Sequence, residues 1–275
     1  MVGRALDIDT LHFLELHETR VHAIPFRSVR DLGDAVLLHD PSDREPFWNR
    51  VGGIRWPVES RAFVRRLDEV IMLFASLDRL PHVWPRPILN EPVDLVDRLL
   101  AAGFEDTGSG LIMVLDDPDA LATQERAMVP TTVDRLHGLS GPARAEAAAA
   151  VALVLVESFD VEPERRAAIE AETAAWLGHP ALHVCLVRVD GEPAAVAKRA
   201  TFDGATYLSS IGTRPAFRGR GLGALVTAAA ARDGLADGSR WSYLGVFSGN
   251  AGARRMYERL GFAPVGVDVP DLVLR

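Results

Sequence analysis

The stretch Thr213-Arg-Pro-Ala-Phe-Arg-Gly-Arg-Gly-Leu-Gly223 decides the reading of this chain. Ahead of it lie three apolar runs, His183 to Val189, Ala194 to Phe202 and Ala205 to Thr213. Asp190-Gly191 and Asp203-Gly204 separate them, a dipeptide suited to two-residue hairpins because the turn needs positive φ. An antiparallel meander is therefore expected. Behind the stretch, Leu222, Leu225, Val226 and Ala229 recur at helical spacing. Trp241 to Phe247 follows as a strand, parallel because a helix crosses over to it. Asn250 suits the N-cap of a last helix running to Leu260, and Gly261-Phe262 suits its Schellman ending. A glycine-rich turn entering a helix presents successive backbone N–H groups, reinforced by the helix dipole, to an anion. Arg218 and Arg220 add charge, and Gly219, Gly221 and Gly223 let a pyrophosphate reach the backbone.

Other nucleotide folds fit less well. Gly219-x-Gly221-x-x-Ala224 matches the dinucleotide fingerprint in form. That fold needs a carboxylate ending the next strand, where this chain has Val246-Phe247-Ser248. A P-loop needs Gly-Lys-Ser/Thr after its glycines, and Gly-Ala-Leu stands there instead. A plain flexible turn is the remaining alternative for the motif taken alone.

Composition narrows the class. The chain has 275 residues, a formal net charge of −8 and 48% hydrophobic residues, enough for two domains with cores of their own. An acidic balance argues against general nucleic-acid binding, which needs a basic face. No run of apolar residues is long enough for a membrane span, no secretory leader is read, and the cytoplasm is expected. Cys185 is the one cysteine, so no intrachain disulfide forms, and its apolar run predicts a buried, inert thiol. His12, His17 and His22, spaced by five, share neither a helix face nor a strand face. With no His-x-x-x-His or Cys-x-x-Cys pair, no metal is expected.

Arg218 to Gly223 resembles the Arg/Gln-x-x-Gly-x-Gly/Ala signature of the GNAT superfamily of N-acetyltransferases. Leu244 to Phe262 is similar to that family's second signature, with Asn250, the small Ala253, Tyr257 and Gly261-Phe262 in order. The resemblance spans about residues 128–270. It implies acetyl-CoA as acyl donor, held between the strands Ala205–Thr213 and Trp241–Phe247. It further implies that the N–H groups of Arg218, Gly219, Arg220, Gly221, Leu222 and Gly223 take the pyrophosphate. Ile211, Gly212 and Thr213 would pair with the pantetheine arm, Asn250 would contact the donor, and Ala253 would keep that wall low. Tyr257 matches the family's tyrosine that protonates the departing thiolate. An amine of a small molecule or peptide would be the acceptor. Many members carry a glutamate on or near the fourth strand. This one offers Tyr207, Ser209 and Ser210, and Glu192 in the preceding hairpin reads as solvated. A non-catalytic acyl-CoA-binding sensor or assembly protein is therefore the alternative.

Upstream, Phe47 to Val51 reads as a strand, Gly52 to Pro57 as a loop and Glu59 to Ser76 as an amphipathic helix burying Phe63, Leu67, Val70, Ile71 and Phe74. Leu80 to Trp84 reads as a strand, Asn90 to Ala102 as a helix and Leu111 to Leu115 as a strand. The ending Leu99-Leu-Ala-Ala-Gly103-Phe104 echoes Tyr257-Glu-Arg-Leu-Gly261-Phe262. The echo is read as a degenerate duplicate, with an unrelated α/β cap domain as the alternative: residues 1–120 as a GNAT-like domain without a cofactor site, and 128–275 as the acetyltransferase domain, with a linker at Asp116 to Thr131. Leu99 stands where the tyrosine would be, and Arg55-Trp56-Pro57 replaces the phosphate loop, proline having no N–H to offer. The expected fold is thus α/β, two GNAT-like domains, each a mixed, mostly antiparallel sheet flanked by helices. Trp48, Trp56 and Trp84 read either as core or as the lining of an apolar acceptor pocket.

Overall fold

A computed structural model describes residues 6–85, 90–121, 123 and 132–275. It divides into two compact units. The first comprises Met1–Ile112, Val246–Ala251 and Pro264–Arg275; the second comprises Met113–Gly245 and Gly252–Ala263. The expected split into two contiguous segments is thus modified, because the chain's last strand belongs with its first half. Of the expected linker, 122 and 124–131 lie outside the described residues.

The first unit opens with a helix that the sequence did not announce, α1 (Ile8–Ala23). Asp7 caps it by accepting from the Thr10 N–H. Its inner face is Leu14, His17, Glu18, Val21 and His22, in helical register but three-fifths polar, so no apolar stripe betrays it. A hairpin, β1 (Ser28–Asp31) and β2 (Val36–His39), leads to β3 (Arg50–Gly52). Phe47 and Trp48, expected in a strand, form a 3-10 turn, Pro46–Trp48, because Pro46 sets its start. The amphipathic helix α2 (Ser60–Ser76) crosses to β4 (His82–Val83), which runs parallel to β3. Helix α3 (Leu95–Ala101) precedes the long strand β5 (Glu105–Leu115). Between β4 and β5 lies β11 (Phe262–Val273), antiparallel to β4 through Leu272–Val83 and Val273–His82. Leu272 is fully buried with Trp56, Phe63, Phe74, Leu95 and Leu99 in one core.

The second unit is the meander and crossover expected. β6 (Val133–Leu136), α4 (Gly141–Phe159) and α5 (Arg166–Leu177) lead to β7 (Leu182–Val189), β8 (Glu192–Phe202) and β9 (Ala205–Thr213). β6 to β9 are antiparallel neighbours. Both Asp-Gly turns have positive φ at each residue, 52° and 83° at Asp190-Gly191, 49° and 78° at Asp203-Gly204. α6 (Leu222–Ala236) crosses to β10 (Trp241–Phe247), which pairs parallel with β9, and α7 (Ala251–Arg259) follows. Successive strand residues point to opposite faces. Lys198 reaches Thr173 of α5 while Arg199 reaches Asp237 just beyond α6, so those helices flank opposite faces. Among the described residues no helix is long and apolar enough to cross a membrane.

The alanines of α6 and Gly234 bring that helix close to β9. A methyl added at Gly234 would lie 2.3 Å from Thr206 Oγ1, itself bonded to Thr201 and Ser239. Gly234→Ala, which on helix propensity alone should stabilise by about 1 kcal/mol, is expected instead to destabilise by about 1–3 kcal/mol through overpacking. A lower thermal midpoint than the parent checks this; a higher one would show that the helix can shift freely.

Candidate active site

Three elements of the second unit converge on one glycine. A Cβ placed on Gly223 would lie 3.2 Å from Thr213 Oγ1 at the end of β9 and 3.5 Å from Met256 Sδ on α7. The end of β9, the first turn of α6 and the helix carrying Tyr257 are thereby drawn together.

Before that junction β9 leaves regular pairing. Its parallel partnership with β10 is recorded from Ala205–Trp241 to Leu208–Leu244 and goes no further, while β9 itself runs on to Thr213. On the other side β8 stays paired, but Val196 faces Gly212 and Lys198 faces Ser209, so Ser210 and Ile211 share one opposing residue. This is a β-bulge, and Ser210 takes the left-handed conformation at φ 50°. Gly212 has no room for a side chain, since a Cβ would meet Ser158 at 2.8 Å. Arg214 fixes the strand's end: it grips both carboxylate oxygens of Glu157 at 2.9 and 3.0 Å and donates to the Pro193 carbonyl. Neither Arg214 nor Glu157 was singled out from sequence, because a pair 57 residues apart leaves no spacing signal.

The turn itself is built from backbone. Gly219 and Gly221 take φ of 77° and 76°, and Gly221 is the N-cap of α6 with no side chain capping the first turn. Open space surrounds the Cβ position of Gly219. The first N–H groups of this helix are therefore left without a side-chain cap. Arg218 is engaged within the protein. Its guanidinium donates to the carbonyls of Thr213 and Ser158 at 3.1 and 3.0 Å, tying the turn to β9 and α4. Arg220 lies 6.0 Å from the Phe217 ring. Leu222 is buried at 4% exposure, so only its backbone can serve a ligand. Asn250 lies in the 246–251 segment that groups with the first unit, where its N–H donates to the Phe247 carbonyl.

Tyr257 and Leu260 are buried and Ala253 half-buried. The Tyr257 ring meets Phe262 edge-on at 6.2 Å. Burial pushes its phenol up to about 12, so it carries a proton throughout the neutral range. Gly261 ends the helix at φ 89°, as Gly103 ends α3 at 94°. Glu192 is exposed and 3.6 Å from Arg214, as its hairpin position implied. Cys185 is buried, and burial likewise pushes its thiol up to about 12, leaving it protonated and unreactive.

Residues 150–262 match the Acetyltransferase (GNAT) family. That stretch is similar to a GNAT acetyltransferase domain, a family that transfers acyl groups from acyl-CoA and uses acetyl-CoA as donor. No curated protein matches the chain. Among solved structures, a GCN5-related N-acetyltransferase from Kribbella flavida is similar in fold. It is 23% identical, with 99% of this chain and 96% of that one covered at a TM-score of 0.67. A tandem GNAT protein from the clavulanic acid biosynthesis pathway is 16% identical with the same coverage and a TM-score of 0.63. A functionally unknown conserved protein from Staphylococcus epidermidis is 11% identical, with 91% and 94% covered and a TM-score of 0.68. The similarity in fold to these structures thus runs over nearly the whole chain. Among the described residues no group of three or more His, Cys, Asp or Glu is arranged to hold a metal ion.

Because the folded Tyr257 phenol keeps its proton more tightly than an unfolded one, its share of stability is intact below about pH 10 and falls as pH rises toward 12. An absorbance titration of the parent against Tyr257→Phe should isolate one phenol ionising near 12. Ionisation near the ordinary value of 10 would show that water reaches the ring.

Proposed function

We propose that the second unit transfers an acetyl group from acetyl-CoA to an amine of a small molecule or peptide. The observation that carries this reading is the junction at Gly223, where the free stretch of β9, the uncapped start of α6 and the tyrosine helix meet. Backbone N–H groups of residues 218–223 hold the pyrophosphate, and Ile211, Gly212 and Thr213 offer the edge along which the pantetheine arm pairs. Ala253 leaves that wall low, and Asn250 is assigned a contact with the donor by the family signature.

Attack of a neutral amine on the thioester gives a tetrahedral oxyanion, which a β9 backbone N–H can stabilise. Collapse expels a thiolate, and the protonated Tyr257 phenol is the donor that meets it. No carboxylate lies on β9, and Glu157 is held by Arg214, so water takes the amine's proton in this scheme.

The first unit lacks such a site in our reading. Its parallel pair closes where the second unit's opens. The Trp84 N–H donates to the Val51 carbonyl, Arg55 bridges to Glu91, and the Trp56 N–H donates to the Glu91 carbonyl. Leu99, in the place of the tyrosine, is fully buried.

Calorimetric titration with acetyl-CoA should therefore give one site per chain. Two sites would place a working cleft in the first unit, and none would remove the donor. Gly221→Asp, which sets a carboxylate against the pyrophosphate and a side chain at φ 76°, is expected to weaken binding at least 100-fold. Tyr257→Phe should keep the affinity and lower kcat by about 100-fold. An unchanged kcat would remove Tyr257 as the acid, whereas donor binding with no turnover in the parent would favour the sensor reading.

A further inference from the structure

Glycine inside a strand loses conformational entropy on folding and offers no side chain to pack. Most glycines around the second unit's site have a reason to be there. Gly219 and Gly221 take positive φ. Gly212 and Gly223 are crowded, a Cβ lying 2.8 Å from Ser158 at the first and 3.2 Å from Thr213 at the second. Gly245 of β10 has neither reason. Its φ is not positive, and among the described residues a Cβ there would meet only the Tyr207 hydroxyl, at an ordinary 3.5 Å. Tyr207 does not close over the gap, because its ring is held against that of Tyr243 at 5.0 Å. A strand glycine that neither backbone nor packing demands marks a place where a ligand comes close.

Gly245 stands where two strands part. Leu208 and Leu244 form the last pair of β9 and β10, and both are buried. One step on, Ser209 is half-buried and Gly245 exposed. Water thus reaches both strands from the same step. Ser209 is paired with Lys198, which reaches Thr173 of α5, and Tyr207 is paired with Tyr243. Strand alternation therefore puts Tyr207, Ser209, Tyr243 and Gly245 on the α5 face. In the acetyl-transfer reading, on which this inference rests, the pyrophosphate lies at residues 218–223 and the arm runs from Thr213 to Ile211. Continued along β9, the arm brings its thioester to the closed end of the opening, at Ser209 and Gly245. The acyl group then lies over Gly245, where a side chain would bound it and none is present.

We propose that Gly245 leaves the acyl position open, so that the second unit takes propionyl and butyryl groups from CoA as readily as acetyl. The reaction is the same for each. The amine nitrogen bonds the acyl carbon, the carbon–sulfur bond breaks, and the Tyr257 phenol protonates the leaving thiolate. The proton that water takes from the amine then restores the phenol.

Calorimetric titration of the full chain with CoA, acetyl-CoA, propionyl-CoA and butyryl-CoA tests this. The thioesters should bind the parent within about threefold of one another. Gly245→Val places a branched side chain at a strand position that suits one. It should leave CoA and acetyl-CoA within about threefold of the parent and weaken butyryl-CoA by about tenfold or more, the scale on which a pocket reads a methylene or two. Should that variant not fold, Gly245→Ala is expected to weaken butyryl-CoA by about threefold or more with CoA unchanged. A parent that discriminates against butyryl-CoA by more than about threefold would overturn the proposal. So would a Gly245 variant that weakens every thioester alike, or none. Failure of CoA itself to bind is a distinct outcome, which removes the donor reading and the open acyl position with it.

Discussion

A strand whose backbone is left half-partnered governs the second unit. Buried N–H and C=O groups require partners, and a free strand edge pairs with whatever extended chain reaches it. β9 is satisfied along β8 but released from β10 after Leu208. The bulge at Ser210 and Ile211 turns the strand just there, at the cost of a left-handed serine, about 1–3 kcal/mol for such a residue. That strain persists because the surroundings fix it from several sides. Arg214 locks to Glu157, Gly212 packs on Ser158, and Arg218 ties the following turn to Thr213 and Ser158. The loop arginine that motif reading assigns to the phosphate is thus also the clamp that keeps the loop in place.

The first unit is held by cations packed among aromatic rings. Arg50, 5% exposed, places its guanidinium 4.5 Å from the Phe47 ring and 4.4 Å from Trp84, and its Nη2 lies 2.9 Å from His22 Nδ1. Arg27 lies 3.7 Å over Trp48 and pairs with Asp40. Burial, then Arg50 and Arg27, hold His22 well below its ordinary value, so the imidazole is neutral and accepts from Arg50. Trp48 and Trp84 therefore stack on the protein's own cations, and Trp56 is core at 2% exposure. None of the three is left as a bare apolar lining. Buried cations are costly unless well partnered, and the aromatic faces and hydrogen bonds around Arg50 and Arg27 provide those partners.

Much of this was legible. The Asp-Gly turns, the alanine-rich crossover helix, Gly221 before it and Gly261 after the last helix each have a local conformational requirement that sequence states directly. So did the face of α2, where Phe63, Leu67, Val70 and Phe74 are buried as the spacing predicted, while Ile71 is only partly buried. α1 was not legible, since its inward positions include His17, Glu18 and His22, and polar residues carry no hydrophobic period. β11 escaped as well. Its burial alternates irregularly through a valine- and proline-containing tail, and it finds its place only beside β4, nearly 190 residues earlier in the chain.

By itself, the sequence determined the α/β class, the meander, the glycine-rich turn and the helix that carries Tyr257, because each rests on residues near one another in the chain. Tertiary structure alone decided that the C-terminal strand completes the first unit and that Arg214 and Glu157 hold the end of β9. Those outcomes depend on hydrogen bonds and close packing between residues tens to hundreds of positions apart. Such pairs leave no periodicity, and only the folded chain brings their atoms within reach.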